Sequence, residues 1–299
     1  MRPGTLKTSG LTKTYGDFTA LKDVSITVED GDIYGLVGRN GAGKTTLFKC
    51  VMGLTRPTSG TIRLGDDTSL NRARAGVGFT INSSFFPYLS AEDNLEYLRR
   101  VKGIRHRGES ARVLKIVGLD GVKKPFSAFS MGMKQRLGIA SALLGRPSMV
   151  ILDEPINGLD PQGIMDMREV IRGARDEGGA TVIVSSHILS ELDLVATRFG
   201  FIDQGVLLQE ITHDDLHEHT QESWCVEVDN APRALTELTL LGLRATVDGH
   251  RLTVPSRIEH PDAIARALVE SGIGLLALYR QDVTLEEYFV NLVGGVSND

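Results

Sequence analysis

Val24, Ile26 and Val28 alternate with polar neighbours, the two-residue period of a strand with one buried face. Asp30-Gly31-Asp32 turns the chain, and Ile33-Tyr34-Gly35-Leu36-Val37 predicts a second strand running into a glycine-rich loop. From Thr45 to Gly53 the period changes. Leu47, Cys50, Val51 and Leu54 fall at helical spacing, and Gly53 and Pro57 supply the stop. Residues 90–146 read mainly as helix, with Ser90-Ala91-Glu92-Asp93 resembling a capping box and Gln135–Leu144 a further helix. Met149–Leu152 and Thr181–Ser185 are largely apolar runs, which suits strands of a parallel sheet covered by helices on both faces.

After about residue 218 the order becomes β-α-β-β-α-β. Ser223–Asp229 predicts a strand, Ala231–Leu241 a helix, and Arg244–Val247 and Arg251–Val254 a hairpin around Asp248-Gly249. Pro261 opens a helix bearing Ile264 and Leu268, and Gly274–Tyr279 closes as a strand. That order matches the split βαβ, ferredoxin-like motif. A last helix starts at Thr284, where Glu287 completes a capping box. The expected organisation is an α/β core over 1–218, with a helical subdomain at about 83–148, and a small α+β accessory domain over 220–299.

Composition narrows the class. With 41% hydrophobic and 24% charged residues, the 299-residue chain is globular rather than collagen-like, mucin-like or disordered. No apolar run approaches the roughly 18 residues of a membrane span, and the first residues show no apolar leader region. Two cysteines, Cys50 and Cys225, make no disulfide framework, which points to a reducing cytoplasm. The net charge is −5. From Thr220 onward there are six arginines, no lysine and twelve acidic residues, while the rest is near neutral. Neither part has the basic surplus of a nucleic-acid binder.

The chemistry sits in short motifs. Gly38-Arg39-Asn40-Gly41-Ala42-Gly43-Lys44-Thr45-Thr46 fits G-x-x-x-x-G-K-[ST] between a strand and a helix. Glycines let consecutive backbone N–H groups surround a polyphosphate, and the helix N-terminus adds positive potential. Lys44 would reach the β- and γ-phosphates, the Thr45 hydroxyl would ligate Mg²⁺, and Thr46 would touch a phosphate. The run Met149–Leu152 delivers Asp153 and Glu154 to a strand end, where open α/β sheets bind their ligands. Asp153 suits Mg²⁺, and Glu154 suits the polarisation of an attacking water.

The phosphate loop, Phe129-Ser130-Met131-Gly132-Met133-Lys134-Gln135-Arg136, Asp153-Glu154, Asn157-Gly158-Leu159-Asp160 and His187 occur in this order. Over about residues 5–218 the chain closely resembles the nucleotide-binding subunits of ATP-binding cassette (ABC) transporters. Within them it is similar to the export and resistance ATPases of bacitracin and lantibiotic self-protection systems.

The resemblance implies a P-loop NTPase core and an ATPase that dimerises head to tail over ATP and Mg²⁺, as a homodimer or heterodimer. It would drive export by a separate membrane permease, with a drug, antibiotic or peptide as cargo, from the cytoplasmic face of the membrane. Ser130 and Gly132 would contact the γ-phosphate held by the partner's loop, and Asp160 would communicate across the dimer. Met131 and Met133 depart from the usual Leu-Ser-Gly-Gly-Gln. Tyr15 matches the aromatic that stacks on adenine, His187 the histidine that orients Glu154 and water, and Asn82 takes the place of a magnesium-contacting glutamine.

Phe85, Phe86, Pro87 and Tyr88 suit either a permease pocket or packing within the helical insert. Arg99, Arg100, Lys102, Arg105 and Arg107 read as a solvated helix face, and His213, His217 and His219 as an ordinary linker. The alternative function is a non-transport ABC ATPase acting on nucleic acid or ribosomes, which would want a second cassette, a coiled coil or a basic surface.

Overall fold

The computed structural model describes residues 4–67, 69–80, 85–220, 223–255, 261–281 and 284–295. The chain divides into two compact units, Met1–His213 and Asp214–Asp299.

In the first unit, β1 (Leu6–Tyr15) turns into β2 (Phe18–Val24), with Tyr15 opposite Phe18. β3 (Thr27–Val28) pairs back onto β1. The strand expected through Val24, Ile26 and Val28 is therefore interrupted. The buried Thr8 hydroxyl accepts from the N–H of Ile26 and donates to the carbonyl of Val24, both at 2.9 Å, where a regular ladder would use backbone groups alone. All three apolar side chains are still buried.

β4 (Ile33–Val37) enters the main sheet, α1 (Lys44–Met52) follows the glycine-rich loop, and β5 (Ser59–Leu64) returns to β1. Then come α2 (Leu70–Ala75), β6 (Val77–Thr80), α3 (Ala91–Val101), α4 (Glu109–Ile116) and α5 (Met131–Leu143). β7 (Met149–Leu152), α6 (Pro161–Asp176), β8 (Thr181–Ser186), α7 (Leu189–Asp193), β9 (Arg198–Asp203) and β10 (Val206–Thr212) complete the unit. The main sheet runs β10-β9-β4-β8-β7-β6, parallel throughout except for β10. β4, β7 and β8 are buried at every position, as strands sandwiched between layers must be. β4, β8 and β7 are consecutive neighbours, so their carboxyl ends open side by side.

The helical insert is pinned by Asn94, which is 1% exposed. Its Oδ1 accepts from Phe86 N–H at 2.8 Å, and its Nδ2 donates to the carbonyls of Phe86, Leu89 and Ser90. Ser90 caps α3 through Asp93 N–H, but the Asp93 carboxylate accepts from the Ser90 hydroxyl (2.6 Å) rather than completing a full capping box. The solvated-face reading fails at Arg99. It is buried and paired with Glu96 at 2.6 Å, and the Arg99 and then Arg100 hydrogen bonds hold that carboxyl at about 2. Lys102 donates to Ser141 O at 2.8 Å. α5 begins at Met131, four residues earlier than its apolar pattern suggests, because Ser130 caps it.

The second unit opens in α8 (His213–His219) and holds β11 (Ser223–Val228), α9 (Ala231–Leu240), β12 (Thr246–Asp248), β13 (Arg251–Pro255), α10 (Pro261–Glu270), β14 (Leu275–Gln281) and α11 (Leu285–Gly295). Its sheet is antiparallel in the order β12-β13-β11-β14, the split βαβ arrangement. Asp248 pairs with Arg251, which makes Gly249-His250 the turn pair, one residue later than expected. Val226, Val228, Leu252 and Val254 pack with Ala234, Leu238, Ile264 and Leu268 in a core of its own. The capping box at Thr284 forms with both bonds, Thr284 N–H to Glu287 and Glu287 N–H to the Thr284 hydroxyl. Among the described residues, no helix is long and apolar enough to cross a membrane.

Candidate functional site

The phosphate loop is shaped by backbone that only glycine adopts readily. Gly41 and Gly43 have φ of 83° and 107°. A Cβ on Gly43 would lie 2.7 Å from Ala20 O, and one on Gly38 2.3 Å from Ile202 O. At Gly38 and Gly43 the loop therefore passes β9 and β2 with no room for a side chain. Gly38 N–H donates to Ser186 O at the end of β8, which fastens the loop to the neighbouring strand. A cavity of about 330 Å³ is lined by Phe18, Ala20, Asn40, the loop from Gly41 to Thr46, and Glu154.

Two side chains of the motif meet the acids that follow β7. Lys44, 5% exposed, donates to the carbonyls of Gly38 (2.6 Å) and Arg39 (3.0 Å). Its Nζ lies 3.1 Å from Glu154 Oε1. The Thr45 hydroxyl donates to Asp153 Oδ2 at 2.7 Å. The other oxygen of Glu154 is 3.0 Å from His187 Nδ1, at the end of β8. Lysine, glutamate and histidine thus form one chain of contacts across three adjacent strand ends. Glu154 also has φ of 49°, a conformation sparsely used by residues with a Cβ.

Ser130 and Asp160 lie elsewhere in this unit, each capping a helix. Ser130 accepts from Met133 N–H at the start of α5, and Asp160 from Gly163 N–H at the start of α6. Both are exposed, neither lines the Lys44 cavity, and Gly132 follows Ser130 in the first turn of α5. Tyr15 is 46% exposed with Lys13 Nζ 4.6 Å above its ring. Its cross-strand partner Phe18 lines the cavity, a neighbour the sequence reading did not single out. Asn82 lies outside the described residues.

A second cavity, of about 340 Å³, adjoins Asp153, Glu154 and Pro155 on the side of the helical insert, where Phe85, Phe126, Met131 and Lys134 line it. Phe85 packs on Phe126 at 5.1 Å and Phe86 on Tyr97 at 5.0 Å, so both are engaged within the insert, whereas Tyr88 is 72% exposed.

A family model described as ABC transporter matches residues 21–157. The chain is 38% identical over 299 residues to the bacitracin transport ATP-binding protein BcrA of Bacillus licheniformis, covering 97% of each. It is 41% identical over 211 residues to the lantibiotic transport ATP-binding protein SrtF of Streptococcus pyogenes, covering 70% of this chain and 91% of that one. In structure it is similar to the dimeric ATP-binding cassette MJ0796 in a post-hydrolysis state bound to ADP and Pi. That match has a TM-score of 0.60 and 25% identity, and covers 70% of this chain and 98% of that one.

Proposed function

The chain is an ATPase subunit of the ABC transporter family, and from that premise we propose that it closes with a second cassette over ATP and Mg²⁺ and drives export through a separate membrane permease. The relatives named for bacitracin and lantibiotic transport make an antibiotic or peptide the favoured cargo. The observation that carries the site assignment is the meeting of loop and strand end: Thr45 on Asp153 and Lys44 on Glu154.

ATP enters with its phosphates toward the N–H groups of residues 41–46, and Lys44 exchanges Glu154 for the β- and γ-phosphates. The Thr45 hydroxyl and the Asp153 carboxylate, hard oxygen donors 2.7 Å apart, fit Mg²⁺. A metal held by these two residues would supply positive charge to the phosphate oxygens. Glu154, released from Lys44, orients the attacking water and accepts its proton, while His187 holds that carboxylate from the far side. Phe18 or Tyr15 would stack on the adenine, and Asn82 would be a further residue to hold the metal.

The exposed Ser130 and Asp160 and the half-buried Gly132, at helix N-termini off their own nucleotide cavity, support their serving a second copy, where helix dipoles favour an anion. Each γ-phosphate is then shared by two chains. Its loss loosens the pair, and that difference in affinity between states moves the permease. The permease docks at the aromatic cavity of the helical insert and holds the subunit at the cytoplasmic face of the membrane. Residues 220–299 brace or regulate the dimer.

The test is Glu154→Gln. It should keep ATP binding, lose turnover and accumulate dimers by light scattering. Undiminished hydrolysis removes Glu154 from this role.

A further inference from the structure

We propose that Ser185 is a positioning residue for hydrolysis, its hydroxyl tying the main chain of Glu154 to the carboxylate of Asp153; this rests on the roles proposed above for those two acids. Ser185 is 0% exposed, one residue before the end of β8. Its Oγ lies 2.9 Å from Glu154 N and 2.7 Å from Asp153 Oδ1.

The direction of both bonds is fixed by chemistry. A backbone N–H only donates, so the Ser185 oxygen accepts there, and its single proton goes to Asp153, an acceptor when ionised. Thr45 donates to the other oxygen of the same carboxylate. An ordered chain results: Glu154 N–H to Ser185, Ser185 to Asp153, with Thr45 closing from the loop.

That chain has a task. Glu154 stands at φ 49°, a conformation that persists only where neighbours over-determine it. Anchoring its N–H fixes the peptide plane from which the side chain departs toward Lys44 and His187. Without the hydroxyl, a half-buried N–H loses its acceptor, the carboxylate of Asp153 loses a donor, and Glu154 is free to relax to negative φ. The relaxed carboxylate swings off the line between the loop and His187. Ser186 has a different duty: its hydroxyl accepts from Ile188 N–H and its carbonyl from Gly38 N–H.

The experiment compares Ser185→Ala and Ser185→Thr in the full chain, with steady-state and single-turnover ATP hydrolysis, ADP binding and thermal melting. Ser185→Ala should lower kcat by about 10- to 100-fold, the usual scale for an outer-shell partner. KM should stay near wild type, the melting temperature should fall by several degrees at most and leave the protein folded at the assay temperature, and Ser185→Thr, which keeps a hydroxyl, should recover most of the rate. In a Glu154→Gln background, Ser185→Ala should cost little more, because it acts through Glu154. The proposal is overturned if Ser185→Ala hydrolyses at the wild-type rate. It is also overturned if its loss merely follows a fall in folded protein, or if the same factor is lost again in the Glu154→Gln background. Full hydrolysis by Glu154→Gln alone would instead sink the assignment of Glu154, a separate result.

Discussion

Replacing Glu154 with glutamine should tighten ADP binding as well as stop turnover. Lys44 is paired with Glu154 at 3.1 Å, with side-chain exposures of 6% and 21%. An entering phosphate must displace that carboxylate and then tolerate it as a like-charged neighbour. Glutamine removes both penalties while preserving shape and a hydrogen bond toward His187. At an effective dielectric constant of 20, unit charges about 3 Å apart interact by about 5 kcal/mol, an upper limit here. Exposed pairs deliver about 0.2–1 kcal/mol, a lower limit. A partly screened pair between these limits gives about 1–2 kcal/mol, or about 5- to 30-fold in dissociation constant. ADP is the ligand to use, because it lacks the γ-phosphate shared in the dimer and keeps closure out of the measurement. Isothermal titration of both proteins with ADP and Mg²⁺ reads the ratio directly. Equal or weaker binding by Glu154→Gln would show that the ion pair does not guard the loop, and would refute the reasoning.

Asn94→Ala should destabilise the first unit, since Phe86 N–H loses its acceptor while the carbonyls of Phe86, Leu89 and Ser90 keep their backbone donors; one such buried orphan costs about 1–3 kcal/mol. A melting temperature lower by several degrees, with ADP affinity retained at saturating folded protein, is the expected pair of results. Glu109 governs an acid-sensitive step. Burial raises its pKa, but Arg112, Gly145 N–H and Arg146 outweigh that and hold it below its ordinary 4.5. A folded-state pKa lowered in this way gives stability that is present above about 4.5 and is lost as pH falls through the lowered value. Urea unfolding should therefore show the gap between wild type and Glu109→Gln shrinking as pH drops below that range. A gap independent of pH would contradict it.

The parts of the site legible in sequence are those carried by contiguous residues. Gly38–Thr46 and Asp153-Glu154 announce themselves because anion binding needs a run of bare backbone, and a buried strand ending in two acids is unusual. Ser185 gave no such sign, because a hydroxyl inside a β-strand is ordinary until its two partners, each more than thirty positions away, are brought to it. Phe18 was hidden for a related reason: its place follows from the hairpin register opposite Tyr15, not from a motif. In the fold, apolar runs found β4, β7 and β8. β1 was harder, since its buried Thr8 is polar and satisfied by side-chain bonds that hydrophobic periodicity does not weigh. Arg99 misled charge counting, which registers a cation but not the carboxylate one helical turn before it.

The placing of β8 between β4 and β7 has a mechanical consequence. Each edge of this strand is a ladder of peptide hydrogen bonds, one to the loop-bearing neighbour and one to the acid-bearing neighbour. Shifting it by a single position would send Ser185 to the opposite face and carry His187 out of reach together. Alignment of that strand therefore works as a gauge block: it machines the gap between anion cradle and general base, and a lapse there would disable the motor without touching either motif.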